Sequence, residues 1–361
     1  MSEIKVNSIK GVGATDAAIT VNNTDGTCTA NLSNRQNRNL MINGAMQVAQ
    51  RGTSSTSNGL QTVDRFPIYY QGTDEAPTQA QVDVASGTTP YTLGFRKAFR
   101  LTNGNQTSGA GSNDMVTIYY SMEAQDIANS GWNYTSSSSY ITLSFWVKSS
   151  VAQNFYGRVT SQDSSVYNYP YETGSLSANT WTKITKTIPG NSNLVFNDDN
   201  GIGLYMEWIP FQGTDKTGSV SLNQWGAWNS AARTPDNTTT WYTTNDATFE
   251  ITGVQLEVSD HATDFEHRSF GQEFALCQRY FQKYTDIRFK HYTDNNFDNG
   301  AFFVMPVAMR STPTITNNQT VNTNGTVAPA NINNQSVFMS LVRSSSGVQE
   351  ATFSPTFSSE F

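Results

Sequence analysis

Disulfides cannot frame this protein. Its 361 residues contain two cysteines, Cys28 and Cys277, which allow one bridge at most and favour none. Charge is also scarce: charged side chains make up 14% of the chain and leave a net charge of −7. With no basic run, that balance argues against nucleic acid or an anionic membrane surface as partner. No stretch approaches the roughly 20 apolar residues a membrane span needs. The opening MSEIKVNSIKGVG has no apolar h-region, so no Sec signal is expected. The three histidines, His261, His267 and His291, lie neither at His-x-x-x-His spacing nor beside a cysteine pair, and no zinc site is expected. Neither a G-x-S-x-G elbow nor a phosphate-cradling glycine loop occurs.

What is present is neutral polarity with many rings. Ser, Thr, Asn and Gln supply the polar surface, while 12% of the residues are aromatic, including 16 Tyr and 7 Trp. So many large apolar groups exclude simple disorder and allow substantial cores, enough for two domains. From Asn39 to about Asp264 the pattern has a period of two. Tyr140–Ser150 (YITLSFWVKSS) places Ile141, Leu143, Phe145 and Val147 on one face and Trp146 on the other. Met115–Glu123, Trp181–Ile188, Ile202–Ile209 and Ala247–Val258 repeat the pattern. In the last of these, Val254, Leu256 and Val258 are expected to face inward, and Gln255 and Glu257 outward. Gly-, Asn- and Asp-rich loops rather than helices join the strands. The fold class expected is mainly β: an antiparallel sandwich or jelly roll. Residues 1–38 read as an extended arm, with strands around Ile4–Ile9 and Ala18–Val21 and a turn at Asp25-Gly26. Residues 286–361 read as a further β region.

One segment breaks the pattern. FEHRSFGQEFALCQRYFQKY, Phe265–Tyr284, reads as a short amphipathic helix, with Ser269 at the N-cap and Gln272 at capping-box spacing. Phe270, Phe274, Cys277, Phe281 and Tyr284 form its apolar stripe, which Leu276 and Tyr280 widen. A helix this short needs packing to persist. Its stripe either seals one end of the sandwich or meets equivalent helices about a three-fold axis.

NRNLMINGAMQVAQRGTSS (Asn37–Ser55), VDRF (Val63–Phe66) and ITGVQLEVSDHATDFEHRSFGQEFALCQRYFQKY (Ile251–Tyr284) resemble a family of bacteriophage tail-fibre and virion proteins with a sandwich like that of carbohydrate-binding modules. VNSIKGVGATDAAITVNNTDGTCTANLSNR near the start and Met305–Thr316 near the end resemble portions of proteins from phages of marine bacteria, cyanophages included. The likeness covers both ends and the frame of the domain, and little between about Tyr69 and Asp246. It implies an arm at residues 1–38 that docks to other virion proteins, a sandwich over 39–285 ending in the helix, and a projecting region over 286–361. It further implies a homo-oligomer, a trimer in the fibre reading, on the exterior of the particle after synthesis in the host cytoplasm. Host surface polysaccharide is the expected partner. A capsid decoration or head-fibre protein and a polysaccharide-degrading spike are the alternatives.

Within the motifs, Asn43-Gly44 reads as a turn, Asp64-Arg65 as an ion pair pinning a loop, and Glu266 with Arg268 as hydrogen-bonding groups toward the sandwich or a partner subunit. Sandwich modules of this type often hold a structural calcium, for which Glu257 is the one candidate here. No catalytic residue and no other cofactor is expected. Asp198-Asp199 reads as a turn, and Glu207 with Glu250 is the one strand-borne carboxylate pair that a glycosidase could use. Sugars are held by rings stacked on their C–H faces and by polar groups reading their hydroxyls. The loop aromatics Trp132, Tyr134, Trp225, Trp228, Trp241 and Tyr242 are therefore the candidate glycan contacts, with Trp225 and Trp228 foremost because Gly, Gln and Asn surround them.

Overall fold

A computed structural model describes residues 6–13, 17–21, 24, 26, 28–30, 37–293, 299–345 and 347–361. The chain is mainly β, with all its named strand pairs antiparallel and, among the described residues, short helices at four places. Two six-stranded sheets face each other. The first runs in the order Gly226–Ala227, Tyr167–Ser175, Asn154–Ser161, Ile202–Gln212, Met115–Glu123, Ile68–Gln71. The second runs Thr182–Pro189, Tyr140–Ser149, Thr248–Glu257, Lys97–Thr102, Thr78–Asp83, Ser54–Ser55.

The period-two residues meet between the sheets. Ile141, Leu143, Phe145 and Val147 from one sheet join Ile118, Tyr120, Leu204, Met206 and Trp208 from the other in a single core. Burial of this much apolar surface, at roughly 25 cal/mol per Å², is what chiefly holds the sheets together. Trp146, on the opposite face of its strand, packs instead with Phe95 and Trp181 in a satellite cluster.

The strand Thr248–Glu257 departs from the simple alternation. Val254 and Leu256 are in the core as expected, but Val258 falls past the strand end and is 38% exposed. Gln255 and Glu257 do leave the core face, yet both are fully buried. The segment that follows turns back over them: Glu266 donates its N–H to Gln255 Oε1 at 2.8 Å, and Thr263 donates through N and Oγ1 to Glu257.

The helix spans Phe270–Gln278 and carries the capping box at Ser269 and Gln272. It stops earlier than the apolar stripe suggests. Arg279 is its C-cap, and Phe281–Lys283 is already a strand, paired with Thr356–Ser358. The five stripe residues therefore divide. Cys277 is buried against Ile42 and Val48 with Phe274 partly covered, Phe281 is buried beyond the helix end, and Tyr284 packs on Phe357 at 5.5 Å in a second core. Phe270 stays 58% exposed, stacked on Phe274. Burial pushes the Cys277 thiol well above its usual range, and both cysteines are free.

The second core belongs to a C-terminal unit of three three-stranded sheets, in the orders Phe281–Lys283, Thr356–Ser358, Thr314–Thr316; Ile287–Thr293, Gly347–Phe353, Gln319–Thr323; and Asn299–Val304, Ser336–Arg343, Gly325–Ala330. Met305, Met309, Val337, Met339, Phe353 and Phe357 fill it. Phe281–Lys283 is the first strand in chain order to join these sheets, through Thr356–Ser358. In the arm, Ser8–Ile9, Ile19–Val21 and Cys28–Ala30 form a small antiparallel sheet. Ile4 and Asp25 lie outside the described residues.

Candidate functional site: a sheet-face cleft beside an architectural seam

The motifs that carry the resemblance converge on one seam. Asn43 adopts φ 61°, and Gly44 lies so close to Val254 that any side chain there would run into the Val254 carbonyl. Glu266 accepts the backbone N–H groups of Asn37, Arg38 and Asn39 at 2.6, 2.7 and 2.6 Å. Arg268 donates to the carbonyls of Met41 and Asn39. Both side chains thus clamp the entry of their own chain onto the sandwich. Asp64 and Arg65 do pin a loop, but through other partners. Asp64 accepts from Gln50 and faces Arg51, while Arg65 pairs with Glu360 at 2.5 Å, nearly three hundred residues away. Arg279 forms a two-pronged ion pair with Glu123, to which Tyr280 also donates. Arg310 donates to Asn200, Ser359 and Glu360 carbonyls. The seam joins sandwich, helix and C-terminal unit through these hydrogen bonds and ion pairs.

An open cavity of about 1160 Å³ lies along this seam, lined by residues 37–42, 125–130 and 265–276. Because Glu266, Arg268 and the Asn39 amide in it are already committed to backbone partners, it offers a ligand few free polar groups.

The second cavity, about 500 Å³, lies on the outer face of the first sheet. Alternation builds it. Residues whose neighbours fill the core point outward in rows: Tyr69 and Gln71 from one strand, Tyr205 and Glu207 from another, then Arg158, with Tyr119 on the strand between the first two, paired with Glu207 but not part of the lining. Register sets Glu207 between Tyr119 and Arg158. The long segment from Gly213 to Thr239 then folds over one side and brings Lys216, Trp228 and Arg233 to the wall. It is fastened by Asn223 N–H to Pro170 O, Trp228 N–H to Val166 O and the Asn168 side chain to Arg233 O.

This cover explains why Glu207, on an outer face, is only 2% exposed. Arg158 Nε lies 2.5 Å from Glu207 Oε2, and the Tyr205 hydroxyl donates to Glu207 Oε1 at 3.0 Å. Burial, with the adjacent carboxylate, pushes the Tyr205 hydroxyl far up, so it stays a protonated donor. The Arg158 guanidinium sits 4.5 Å from the Trp228 ring, a cation–π distance. Tyr119 and Tyr205 stack at 5.4 Å, and Tyr69 at the edge is 42% exposed. Rings, a charged fork and the Gln71 and Gln162 amides thus face one trough, the mix that recognises a flat, hydroxylated ligand.

Of the six loop aromatics singled out from the sequence, only Trp228 lines this trough. Trp225, three residues earlier in the loop, points inward: its Nε1 donates to Pro189 O at 2.7 Å and its ring packs on Tyr169. Trp132 is core, with Tyr134 stacked edge-on to Phe196 beside it. Trp241 and Tyr242 are 0% exposed, the latter stacked on Phe211 at 4.3 Å. A flanking Gly, Gln or Asn marks a loop, but large rings are what pins a loop to a core. Tyr69, Tyr119, Tyr205 and Arg158 carry a subtler signal in the sequence: they are the polar-tipped partners of core residues in alternating strands.

Glu207 and Glu250 cannot act as a pair. Glu250 lies on the other sheet's outer face, held by Arg100 and Lys148. Glu257 is occupied by Thr263, Gln255 and Arg38. Among the described residues no cluster of three or more His, Cys, Asp or Glu is placed to hold a metal ion, and no helix is long and apolar enough to cross a membrane.

No family model matches the chain, and no curated protein matches it in sequence. Among solved structures, the enzymatically active domain of bacteriophage CBA120 tailspike protein 4 is 11% identical, with 61% of this chain and 21% of that one covered and a TM-score of 0.33. The N-terminal cellulose-binding domain of Cellulomonas fimi β-1,4-glucanase C is 12% identical, with 59% and 98% covered and a TM-score of 0.28. A family 11 carbohydrate-binding module from Clostridium thermocellum, in complex with a β-1,3-1,4-mixed-linked tetrasaccharide, is 11% identical, with 57% and 96% covered and a TM-score of 0.26. The chain thus matches about a fifth of the length of that tailspike domain. These likenesses are too distant to bear on function.

Proposed function

We propose that the chain is a virion protein of the tail-fibre type that attaches a phage particle to glycan at the host surface, and that it does so through the sheet-face cleft. The observation that carries this is the convergence of Tyr69, Trp228, Arg158, Glu207 and Gln71 on one outer trough. Rings give a sugar its stacking surface, and the fixed Arg158–Glu207 pair and amides read its hydroxyls. The motif resemblance to phage virion proteins supports the setting, with the arm at residues 1–38 as the docking element. The helix offers Phe270, exposed on its outer side, as a subunit contact in a trimer. Glu207 is the one carboxylate in the cleft lining and is tied to Arg158, so the ligand is held rather than cleaved.

Affinity electrophoresis of the full chain against host surface polysaccharide tests this. Retardation is expected for the native protein and its loss for Tyr69→Ala and Trp228→Ala, with no reducing ends released. Equal retardation of native and variant proteins refutes the cleft as the site.

A further inference from the structure

We infer that the glycan this cleft takes is an acidic one, whose sugars carry a carboxylate or a sulfate; the inference rests on the glycan-binding function proposed above. The chain as a whole is acidic, at −7, yet the cleft reverses that sign. Arg158, Lys216 and Arg233 line it against the single carboxylate of Glu207. Glu207 and Arg158 neutralise one another at 2.5 Å, which leaves two cations in surplus.

Their placement is costly without an anion. Arg158 and Arg233 both lie on the ring of Trp228, their guanidinium carbons 4.5 and 5.4 Å from its centre. Two like charges on one half-buried indole repel. Burial first, and then the Arg158 charge, push the Arg233 pKa below its usual value, and the opposing pull of Glu207 does not cancel them. The Arg233 Nε is spent on the Ser230 carbonyl at 3.1 Å, and Lys216 is half-covered in the same wall. A neutral sugar would dry these cations further without compensating them. A carboxylate or sulfate seated among them relieves the repulsion and receives charge-assisted hydrogen bonds from a planar fork and an ammonium, while Tyr69 and Trp228 still supply ring contact.

The test uses the full chain and three polymers in titration calorimetry: polygalacturonate for the carboxylate, dextran sulfate for the sulfate, dextran as the neutral control. At least one acidic polymer is expected to bind about tenfold or more tighter than dextran, and to weaken as sodium chloride is raised through the screening range. Arg233→Gln and Lys216→Gln, with unchanged melting curves, are each expected to lose about tenfold, the scale of one charge-assisted hydrogen bond. The polymer that keeps this dependence identifies the acid group. Dextran binding as tightly as the acidic polymers, or acidic binding indifferent to both substitutions, overturns the inference. If neutral binding is lost in Trp228→Ala but not in Arg233→Gln, the glycan-binding function stands and only its acidic preference falls. Absence of binding to all three removes both.

Discussion

Replacing Glu360 with Gln probes the seam most sharply. Its carboxylate lies 2.5 Å from Arg65 Nη1 and 3.4 Å from Arg51 Nη2. Arg65 is 3% exposed and packs 3.4 Å from the Tyr280 ring. Neutralising Glu360 leaves two guanidiniums under the C-terminal unit with only Asp64, 3.7 Å from Arg51, to answer them. Breaking a fully buried pair by removing one partner costs about 3–5 kcal/mol. The Glu360 side chain retains 15% exposure, so water tempers the loss to roughly 2–4 kcal/mol. For units of this size that lowers Tm by roughly 5–15 °C. Because Glu360 links the unit to the sandwich across the chain, the melting transition is also expected to split, the C-terminal unit unfolding first. Differential scanning calorimetry and urea denaturation read both effects. A cycle with Arg65→Gln isolates the pair, and a coupling of about 1 kcal/mol or more is expected. Additivity of the two substitutions, or a Tm unchanged in Glu360→Gln, would refute the assignment of the seam to this pair.

The two loop tryptophans are expected to part company: Trp225→Ala lowers stability by about 2–3 kcal/mol in urea unfolding, because its ring fills the loop anchor, whereas Trp228→Ala leaves the melting curve nearly unmoved and abolishes glycan retention. Asp64, whose carboxyl is raised to about 6 by burial against the opposing hydrogen bonds of Gln50 and the charge of Arg51, gives a pH signature. Its folded value lies above the unfolded one, so the folded state holds the proton between about pH 4 and 6 and the unfolded state does not. Stability from this group therefore falls as pH rises through that window, and urea series at several pH values are expected to show Asp64→Asn lacking that slope; identical slopes would count against it. Phe270→Asp is expected to dissociate the oligomer in light scattering while preserving the fold, and a native protein already monomeric at micromolar concentration would remove the helix from any subunit contact.

Local chemistry sufficed for much of this molecule. Strict alternation in Tyr140–Ser150 and its fellows dictates half-buried strands, since a residue every second position must point to the same side. Ser269 and Gln272 likewise announce a helix start, because their side chains satisfy N–H groups three residues apart. The end of that helix was not legible: Phe281 and Tyr284 continue the apolar spacing, but pairing of Phe281–Lys283 with Thr356–Ser358 outweighs a local preference by bringing in partners from the far end of the chain. The same holds for Arg65, whose partner Glu360 no local pattern could indicate, and for Gln255 and Glu257, which alternation turns outward and a returning segment buries. The cleft lies furthest from what sequence alone can reach. Its members come from neighbouring strands of one sheet and a covering loop, and only sheet order and register decide that Tyr69, Glu207, Arg158 and Trp228 share one trough. Composition determines that rings are abundant. Which of them stay open to a ligand depends on which the core has already taken, and that is settled only when distant strands pair.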